Sequence, residues 1–355
     1  MIHIMDKISD ATSHRSMTPA HLPVIVLHGP AFERGRQHGS HLHGLIVSDF
    51  NRLRRSVDDY EWDCACNVAA TSLHKVAAVA PDLHCELEGM AAETGISLVG
   101  VYLLSCFEYF SGKHTGCTSA AVCARSGAIV AQNWDGPEGA EHNLAVFIHE
   151  APGNRTVTIA SAGTLGWVGL NDSGLAFVNN DLMLDERKGT LPSLVIRRMM
   201  LARPGVDAAM NVLLSQPHMS GRCFILGDAS GRLQLAEVGP SIGLSHPVVD
   251  SVVHTNHPLF PDASIWENIE AAARHYPSSR ERLRAARRYR LSDAESLRTL
   301  LQDRTGAPDA ICKSFSPREP TATAFSVIFD CGRREATIWS GRPDQSTPQR
   351  VGLQG

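Results

Sequence analysis

The 355-residue sequence predicts an α+β fold in which helices cover the faces of antiparallel sheets. Residues 30–112 have mostly helical apolar periodicity, whereas from 117 to 180 short apolar runs alternate with turn residues. Helical and strand segments then alternate again toward the C-terminus. No internal repeat and no low-complexity linker divides the chain. Together these observations favour one layered assembly.

The N-terminal third is predicted to form one strand and then helices. Its strand is rich in β-branched residues, and in one helix Pro81 stands near the start and Gly95 at the end, as such residues commonly do. The residues Glu33 to Gly39 are expected to lead into the first helix. The strand is predicted at 22–27 and the helices at about 40–57, 68–79, 81–94 and 99–110.

The rest of the chain is predicted to be sheet with two helical interruptions. Turn residues separate its short apolar runs at the spacing of antiparallel strands, and Pro277 is expected to break the later helical region. The strands are predicted at 144–149, 155–160, 166–170, 175–179, 223–226, 233–238, 248–254, 323–329 and 336–339, and the helices at 191–201, 206–214 and 264–302.

Composition excludes several classes of protein. Apolar residues make up 43% and charged residues 20%, which is typical of a globular protein, and the net charge of −4 offers no electrostatic reason to expect nucleic acid or a membrane as partner. No apolar run approaches the length of a membrane span. Residues 1–20 lack the apolar core of a secretory signal and are predicted to be a flexible tail. Nine irregularly spaced cysteines argue against a disulfide framework, so we expect a cytoplasmic protein.

A predicted β-hairpin surrounds the most reactive candidate side chain. It begins at Gly116-Cys117, and Gly127 is expected to supply the positive φ of its turn. Two antiparallel strands of similar length end side by side, so Asn133 and Asp135 should return to the level of Cys117. The apolar runs of the two strands lie at 120–124 and 128–131.

Cys117 has features that a purely structural cysteine does not need. Most buried cysteines are small apolar groups, but here Gly116 leaves the preceding carbonyl uncovered and Thr118-Ser119 offer hydroxyls. No histidine in the hairpin can act as a base. If the Gly116–Cys117 bond were cut, the freed α-amine could take the thiol proton, as in other nucleophiles paired with their own N-terminus.

These residues resemble the isopenicillin N acyltransferase (acyl-CoA:6-aminopenicillanic acid acyltransferase) family, peptidase family C45, of self-cleaving N-terminal-nucleophile (Ntn) hydrolases. The resemblance extends from about residue 30 to residue 343. It is carried by Gly-Cys-Thr-Ser at 116–119, Gln-Asn-Trp-Asp at 132–135, the helix at 81–91, Thr-Asn-His-Pro at 255–258, and the segments 311–313 and 321–330.

The resemblance implies a four-layer αββα sandwich and self-cleavage between Gly116 and Cys117. Residues 21–116 would then form a mostly helical first chain and residues 117–355 the Ntn-hydrolase core. Cys117 would be the nucleophile, Asp135 would orient its amine, and Asn256 would help to form the oxyanion hole. No cofactor and no metal are implied. The further positions expected to contact substrate are Thr118, Asn133, Trp134 and Lys313.

The sequence departs from the family pattern at three places near the site. Thr115 stands where an acidic residue commonly precedes Gly-Cys, and Lys313 stands where an arginine often follows Ile-Cys. An Asn-x-Arg at the end of the preceding helix is replaced by Leu-Ser-Cys-Phe-Glu at 104–108. These changes concern processing and the binding of a substrate carboxylate, for which lysine is a point charge without the arginine fork.

Three competing motifs favour structural interpretations. Ser241 lies in a Gly-x-Ser-x-Gly sequence, but that nucleophile motif needs a helix after it, and a β-rich run follows here. Cys64 and Cys66, with His74 and His84, lack the spacing of a zinc site.

The third motif is the run of arginines between 280 and 290. It is predicted to be the solvated face of an amphipathic helix, with Leu283 and Tyr289 pointing inward.

The sequence therefore predicts a cysteine Ntn amidohydrolase or acyltransferase that forms an acyl-enzyme on Cys117 from a small-molecule amide or acyl donor. Water as acceptor gives a hydrolase and a bound amine gives a transferase; we favour hydrolysis, since water needs no second binding site. Two alternatives remain: an unprocessed binding protein of the same fold, and a serine hydrolase using Ser241. The two processed chains would form a heterodimer, and a homo-oligomer is equally compatible with the sequence.

Overall fold

The computed structural model describes residues 19–110, 115–185 and 189–353. The predicted tail at 1–20 therefore lies almost entirely outside the described residues. The N-terminal segment forms one strand and five helices. The strand and four of these helices were predicted, whereas the helix at 31–41 was expected only to be a segment leading into the next helix. Its elements are β1 (Val24–His28), α1 (Ala31–His41), α2 (His43–Arg55), α3 (Asp59–Val79), α4 (Pro81–Thr94) and α5 (Leu98–Leu104).

Most of the sheet lies in the part of the chain after α5, with two helices inserted. Every strand predicted in this region is present to within a few residues, and a strand at 243–247 was not predicted. The elements are β2 (Gly116–Ala124), β3 (Gly127–Gly136), β4 (Leu144–Ala151), β5 (Asn154–Ser161), β6 (Val168–Asn171), β7 (Ala176–Asp181), α6 (Ser193–Leu201), α7 (Val206–Ser215), β8 (Arg222–Gly227), β9 (Leu233–Val238) and β10 (Gly243–Pro247).

The C-terminal region contains four short helices where one long, broken helix was predicted. A final strand, also not predicted, follows the closing hairpin. The elements are β11 (Ser251–His254), α8 (Pro261–Ser264), α9 (Ile269–His275), α10 (Ser279–Ala286), α11 (Ala294–Leu301), β12 (Ala322–Asp330), β13 (Glu335–Ser340) and β14 (Gln349–Gly352).

Two sheets face each other and helices cover both outer faces. The first sheet has the strand order β1-β4-β5-β6-β7-β8-β9-β10, and the second has the order β11-β2-β3-β12-β13-β14. Apolar side chains of the two sheets, such as Val178 and Phe325, meet in one core. Helices α3 to α7 pack on the outer face of the first sheet, and α10 and α11 pack on that of the second. These layers confirm the predicted αββα sandwich.

The N-terminal segment is integrated into this sandwich. Strand β1 pairs in parallel with β4, and Ile25 and Leu27 share a core with Phe147 of β4 and with Ile46 of α2. Among the described residues no single helix has the length and apolar character needed to cross a membrane, although the bent pair α4 and α5 does when the two are counted together.

Candidate active site

The predicted hairpin is present and carries the site. Strands β2 and β3 are joined by a tight turn in which Gly127 has a φ of 128°, a value that a residue with a side chain rarely adopts. The register places Gly116 opposite Asp135 and Cys117 opposite Trp134. The prediction that the end of β3 returns to the start of β2 is therefore confirmed.

The pleat of the hairpin separates the thiol from the carboxylate. Successive side chains of a strand point to opposite faces. Cys117 belongs to the core between the sheets. Asp135 has the strand parity of Ile129 and Ala131, whose side chains pack in the outer core with α10 and α11. The expectation of a thiol facing a carboxylate is corrected accordingly: Asp135 lies beside the Gly116–Cys117 peptide bond, on the other face from the sulfur.

One carboxylate oxygen of Asp135 lies beside Gly116 without a hydrogen-bond partner in the described part of the chain. Oδ1 accepts a 2.8 Å hydrogen bond from the hydroxyl of Thr323, while Oδ2 is buried with no hydrogen-bond partner among the described residues. Burial raises the pKa of Asp135, against the opposing effect of the cations Arg282 and Lys313. A buried acceptor without a partner is costly, so a group with a proton to give would be bound well at this position.

A side chain in place of Gly116 would crowd the carboxylate of Asp135. A Cβ at this position would lie 3.1 Å from Oδ2 of Asp135, which is tighter than most real Cβ contacts, and 3.6 Å from Oε1 of Glu319, which is an ordinary contact. Glycine before Cys117 therefore lets Asp135 approach the backbone of β2 without a shift of its side chain.

Lys313 balances these carboxylates and does not line the cavity. Its Nζ lies 2.7 Å from Oε1 of Glu319, and both side chains are almost completely buried. Burial lowers the pKa of Lys313, and the carboxylates of Asp135 and Glu319 oppose that shift. Sequence reasoning did not identify Glu319. Lys313 therefore forms an ion pair with Glu319 close to Asp135, and it does not make the contact with the substrate cavity that was expected.

The thiol of Cys117 borders a small closed cavity between the two sheets. The cavity has a volume of about 10 Å³, close to that of one water-sized sphere, and Thr115 forms part of its wall. Trp134 also lines it, as expected, and its ring lies 4.8 Å from that of Trp167. Burial raises the pKa of Cys117 well above its ordinary value, and the carboxylates of Asp181 and Asp135 raise it further. The uncut chain therefore holds a neutral thiol in a closed space.

Asn256 contacts the backbone of Cys117 through the oxygen of its side-chain amide. Its predicted role in the oxyanion hole would instead use the N–H end of that amide. Its Oδ1 accepts a 2.9 Å hydrogen bond from the backbone N–H of Cys117. Its Nδ2 donates to the backbone carbonyl of Asp181, which lies on the cavity wall, at 3.2 Å. The N–H group that was expected to stabilise an oxyanion is thus engaged with the protein in the uncut chain.

Asn256 is itself held by a buried network. Its backbone N–H donates to the hydroxyl of Ser279 at 2.8 Å. Two residues earlier, the fully buried ring of His254 lies between two oxygens: Nε2 is 2.9 Å from Oε1 of Glu237 and Nδ1 is 2.7 Å from the carbonyl of Thr255. These contacts fix the turn that carries Asn256.

Arg282 is the main residue that sequence reasoning missed. The prediction that residues 280–290 form a solvated face is wrong at this position, because Arg282 is 1% exposed. Its Nη1 donates to the carbonyl of Cys117 at 2.6 Å, and its Nη2 donates to Oδ1 of Asn256 at 2.9 Å. The signal was present: Arg282 precedes Ala286 by four residues, which puts both on one helix face. Leu283 is buried as predicted.

Thr118 and Asn133 lie on the carboxylate face of the hairpin. The hydroxyl of Thr118 accepts a 2.8 Å hydrogen bond from Arg282. The amide of Asn133 donates to the carbonyls of Leu301 and Ile311 and accepts from Ser326. The structure places neither side chain in the cavity, and Asn133 ties the helical layer to the sheet.

The competing motifs have structural explanations in the part of the chain that the structure describes. Ser241 lies in the turn between the antiparallel strands β9 and β10, with no helix after it. Cys64 and Cys66 lie in α3, and the described residues contain no group of three or more histidine, cysteine, aspartate or glutamate residues arranged to hold a metal ion.

The sequence is similar to one known protein family and to a fungal acyltransferase. The sequence model of the acyl-coenzyme A:6-aminopenicillanic acid acyl-transferase family matches residues 122–345, a segment that contains Asp135 and Asn256 and begins just after Cys117. The chain is 30% identical over 239 residues to the 40 kDa form of acyl-coenzyme A:6-aminopenicillanic-acid-acyltransferase from Emericella nidulans. That alignment covers 64% of this chain and 65% of the relative, slightly less than two thirds of the relative's length.

Two solved structures are similar at lower identity. Penicillin V acylase from Agrobacterium tumefaciens has a TM-score of 0.47 and 17% identity, covering 67% of this chain and 86% of its own. A variant of conjugated bile acid hydrolase from Clostridium perfringens has a TM-score of 0.42 and 10% identity, covering 67% of this chain and 97% of its own.

Proposed function

Because the chain belongs to the acyl-coenzyme A:6-aminopenicillanic acid acyl-transferase family, we propose that it is a cysteine amidohydrolase or acyltransferase that first cuts its own backbone between Gly116 and Cys117. One observation carries this proposal: Asn256 binds the backbone N–H of Cys117, Arg282 binds the backbone carbonyl of Cys117, and the unpartnered Oδ2 of Asp135 lies beside Gly116. A buried cysteine with a purely structural role needs none of these contacts.

Self-cleavage would proceed as an acyl shift. The sulfur of Cys117 attacks the carbonyl carbon of Gly116, the C–N bond breaks, and the nitrogen of Cys117 leaves as an amine that carries the former thiol proton. Water then hydrolyses the thioester, which leaves a carboxylate on Gly116 and a free thiol on Cys117. The new amine would lie where Oδ1 of Asn256 and Oδ2 of Asp135 can accept its protons.

Cleavage would also activate the thiol. In the uncut chain, burial and two carboxylates hold the pKa of Cys117 high. Departure of Thr115 would open the cavity to water, and the new amine would place a proton acceptor next to the sulfur. Both changes favour the thiolate, which is the reactive form of cysteine.

The mature enzyme would use the same groups on a substrate. The α-amine takes the proton of the Cys117 thiol, and the resulting thiolate attacks the amide carbonyl. The C–N bond then breaks, the α-ammonium gives the proton to the leaving amine, and an acyl-thioester remains. Water, or an amine acceptor, then takes the acyl group. The amide nitrogen of Asn256, freed from the carbonyl of Asp181, could donate to the oxyanion.

The N-terminal segment would remain bound after cleavage as part of a heterodimer. Strand β1 pairs with β4 over five residues, and the helices α3, α4 and α5 share one apolar core with α6 and α7. Separating the chains would expose that core to water.

Replacement of the nucleophile tests this proposal. We expect wild-type protein to migrate as two fragments on a denaturing gel, the larger beginning at Cys117, whereas Cys117→Ala should remain a single 38.4 kDa chain. Mass spectrometry after incubation with an amide panel should find one acyl group on the larger wild-type fragment. The matched control is Cys123→Ala, on the same strand, which should be processed normally.

Each other outcome has a defined meaning. A wild-type chain that stays whole after long incubation and takes up no acyl group contradicts the proposal and favours the binding protein with a closed cavity. Activity that survives Cys117→Ala but is lost in Ser241→Ala would contradict it in favour of a serine hydrolase.

A further inference from the structure

A second charged group lines the cavity beside Cys117. Arg197 of α6 is 2% exposed and forms part of the cavity wall. Its Nε donates to the hydroxyl of Ser193 and its Nη1 to the carbonyl of Trp167, each at 3.0 Å. No described carboxylate lies within 4.0 Å of its guanidinium group. The remaining N–H groups of the guanidinium have no acceptor among the described residues.

The two carboxylates whose charges act on Arg197 are those of Asp181 and Glu108, and both have other partners, although Oε2 of Glu108 has none among the described residues. Oδ1 of Asp181 lies 2.7 Å from Nη1 of Arg222, and Oδ2 accepts the hydroxyl proton of Tyr276 at 2.9 Å. Oε1 of Glu108 accepts from the backbone N–H of Ser193 at 2.9 Å and lies 3.4 Å from Nη2 of Arg222. Arg222 thus takes the direct contacts with both anions.

The environment of Arg197 accordingly disfavours its charge. Burial and the nearby cation of Arg222 lower the pKa of Arg197 to about 9, although Glu108 and Asp181 act in the opposite direction. The side chain remains protonated at neutral pH. A buried cation without a direct ion pair is costly for a fold, and such groups are usually found with a partner.

The missing partner can be supplied by a ligand. A guanidinium is a planar fork of N–H donors that fits a carboxylate or phosphate through two parallel hydrogen bonds. Arg197 and Cys117 line the same cavity, so an anion bound to the guanidinium could belong to the molecule under attack.

We propose that Arg197 binds a carboxylate of the substrate, so that the enzyme acts on anionic amides once Thr115 has left the cavity. This inference rests on the proposed function. It names the chemical class of the substrate and a residue that determines specificity.

Matched substrate pairs test the inference in processed enzyme. N-phenylacetylglycine and N-phenylacetylglycinamide differ only in a carboxylate on the amine side, and glutaryl and pentanoyl anilides differ in a carboxylate on the acyl side. We expect wild-type enzyme to prefer the anionic member of at least one pair by tenfold or more in kcat/KM. Arg197→Met should abolish that preference by slowing only the anionic substrate, because a site built for a polar group loses its advantage when one partner is removed.

Controls separate this role from a structural one. Arg203→Met, at an exposed arginine shortly after α6, should keep the wild-type preference. Arg197→Lys keeps the charge without the fork and should retain part of the preference, and it replaces Arg197→Met if that variant fails to fold. N-phenylacetyl-aminomethylphosphonate distinguishes a carboxylate site from a phosphate site, since it should be the better substrate only for the latter.

The results also distinguish the two proposals. Equal turnover of neutral and anionic amides by wild-type enzyme, or a preference that survives Arg197→Met, contradicts the role of Arg197 and leaves the proposed function intact. If Arg197→Met slows self-cleavage but leaves the substrate preference unchanged, its partner is the carboxylate of Gly116 and the inference is wrong. A wild-type enzyme that turns over none of these amides and forms no acyl-enzyme contradicts the proposed function itself.

Discussion

Arg282 illustrates how one side chain organises the candidate site. It lies in a run of arginines that are otherwise directed to solvent, yet its guanidinium is enclosed by the carbonyl of Cys117, the hydroxyl of Thr118 and the amide of Asn256. The Nε group donates to the hydroxyl of Ser278, which completes the network. A group that binds both Cys117 and Asn256 fixes their distance from each other. We therefore expect Arg282 to act as a positioning residue for a reaction at Cys117, since it binds the carbonyl on the C-terminal side of that residue.

Replacement of Arg282 should impair self-cleavage more than it impairs folding. We expect Arg282→Met to slow processing about 100-fold, comparable to the loss of one hydrogen-bond donor at a reacting centre. The rate is measured by following the larger fragment on gels after synthesis, with circular dichroism as the readout of folding. Arg284→Met, on the exposed face of the same helix, serves as the control and should process normally. A folded Arg282→Met protein that is cut at the wild-type rate would refute the positioning role.

Helix α1, which packs on α4, was not predicted from the sequence pattern. Residues 33–39 were expected only to lead into a helix that begins at about residue 40. In the structure, α1 begins at Ala31 and packs so closely on α4 that a Cβ on Gly35 would lie 1.9 Å from the carbonyl oxygen of Glu86. Gly89 has a reciprocal role, since its Cβ would lie 2.0 Å from the carbonyl oxygen of Phe32. The glycines here allow close helix packing.

Substitution of these glycines should distinguish packing from propensity. Gly35→Ala is expected to lower the free energy of unfolding by about 1 to 3 kcal/mol or more, since the methyl group forces the helices apart. Gly44→Ala in α2 is the control, because its Cβ would meet nothing within 4 Å, and it should stabilise by up to about 1 kcal/mol. Urea unfolding of both changes in the Cys117→Ala background, which keeps one chain, measures the difference. If Gly35→Ala and Gly44→Ala changed the free energy of unfolding equally, close packing between α1 and α4 would not be the reason for the glycine at position 35.

At the scale of the whole molecule, buried neutral histidines connect stability to pH. Burial, the largest cause, lowers the pKa of His38 and of His257 to about 3 and that of His218 to about 4. Nε2 of His38 accepts a hydrogen bond from the backbone N–H of Gly163, so the folded state requires that nitrogen to be unprotonated. Below the unfolded-state value of about 6.5, the unfolded chain binds more protons than the folded one.

Stability should therefore be fully present above pH 6.5 and fall as the pH decreases toward 4. The steepest possible contribution is about 1.4 kcal/mol per pH unit for each such histidine. Urea unfolding of the Cys117→Ala protein at pH 7.5, 6 and 5 should show this loss, and adding His38→Gln should make it shallower. The exposed His43→Gln change is the control and should leave the slope as it was. If the free energy of unfolding did not change between pH 7.5 and pH 5, the buried histidines could not be neutral in the folded state as proposed.

The α+β class and the hairpin were predictable from the residues themselves, and the family resemblance predicted the αββα layers and the roles of Cys117, Asp135 and Asn256. Local periodicity and turn residues determine strands and helices, and short motifs identify reactive groups. The face on which each side chain lies could not be predicted in the same way. Asp135 was expected to face the thiol and lies behind the peptide bond, because a one-residue difference in register reverses the side of the sheet.

The burial of single charges was likewise decided only by the tertiary structure. Arg282, Glu319 and Arg197 look like ordinary surface residues in the sequence, and each is enclosed by segments distant along the chain. A charge becomes part of a site when packing removes water from it, and that depends on contacts no local pattern records. The sequence by itself determined the elements and indicated Cys117 as the candidate nucleophile, and the packing of the layers decided which charges surround that residue.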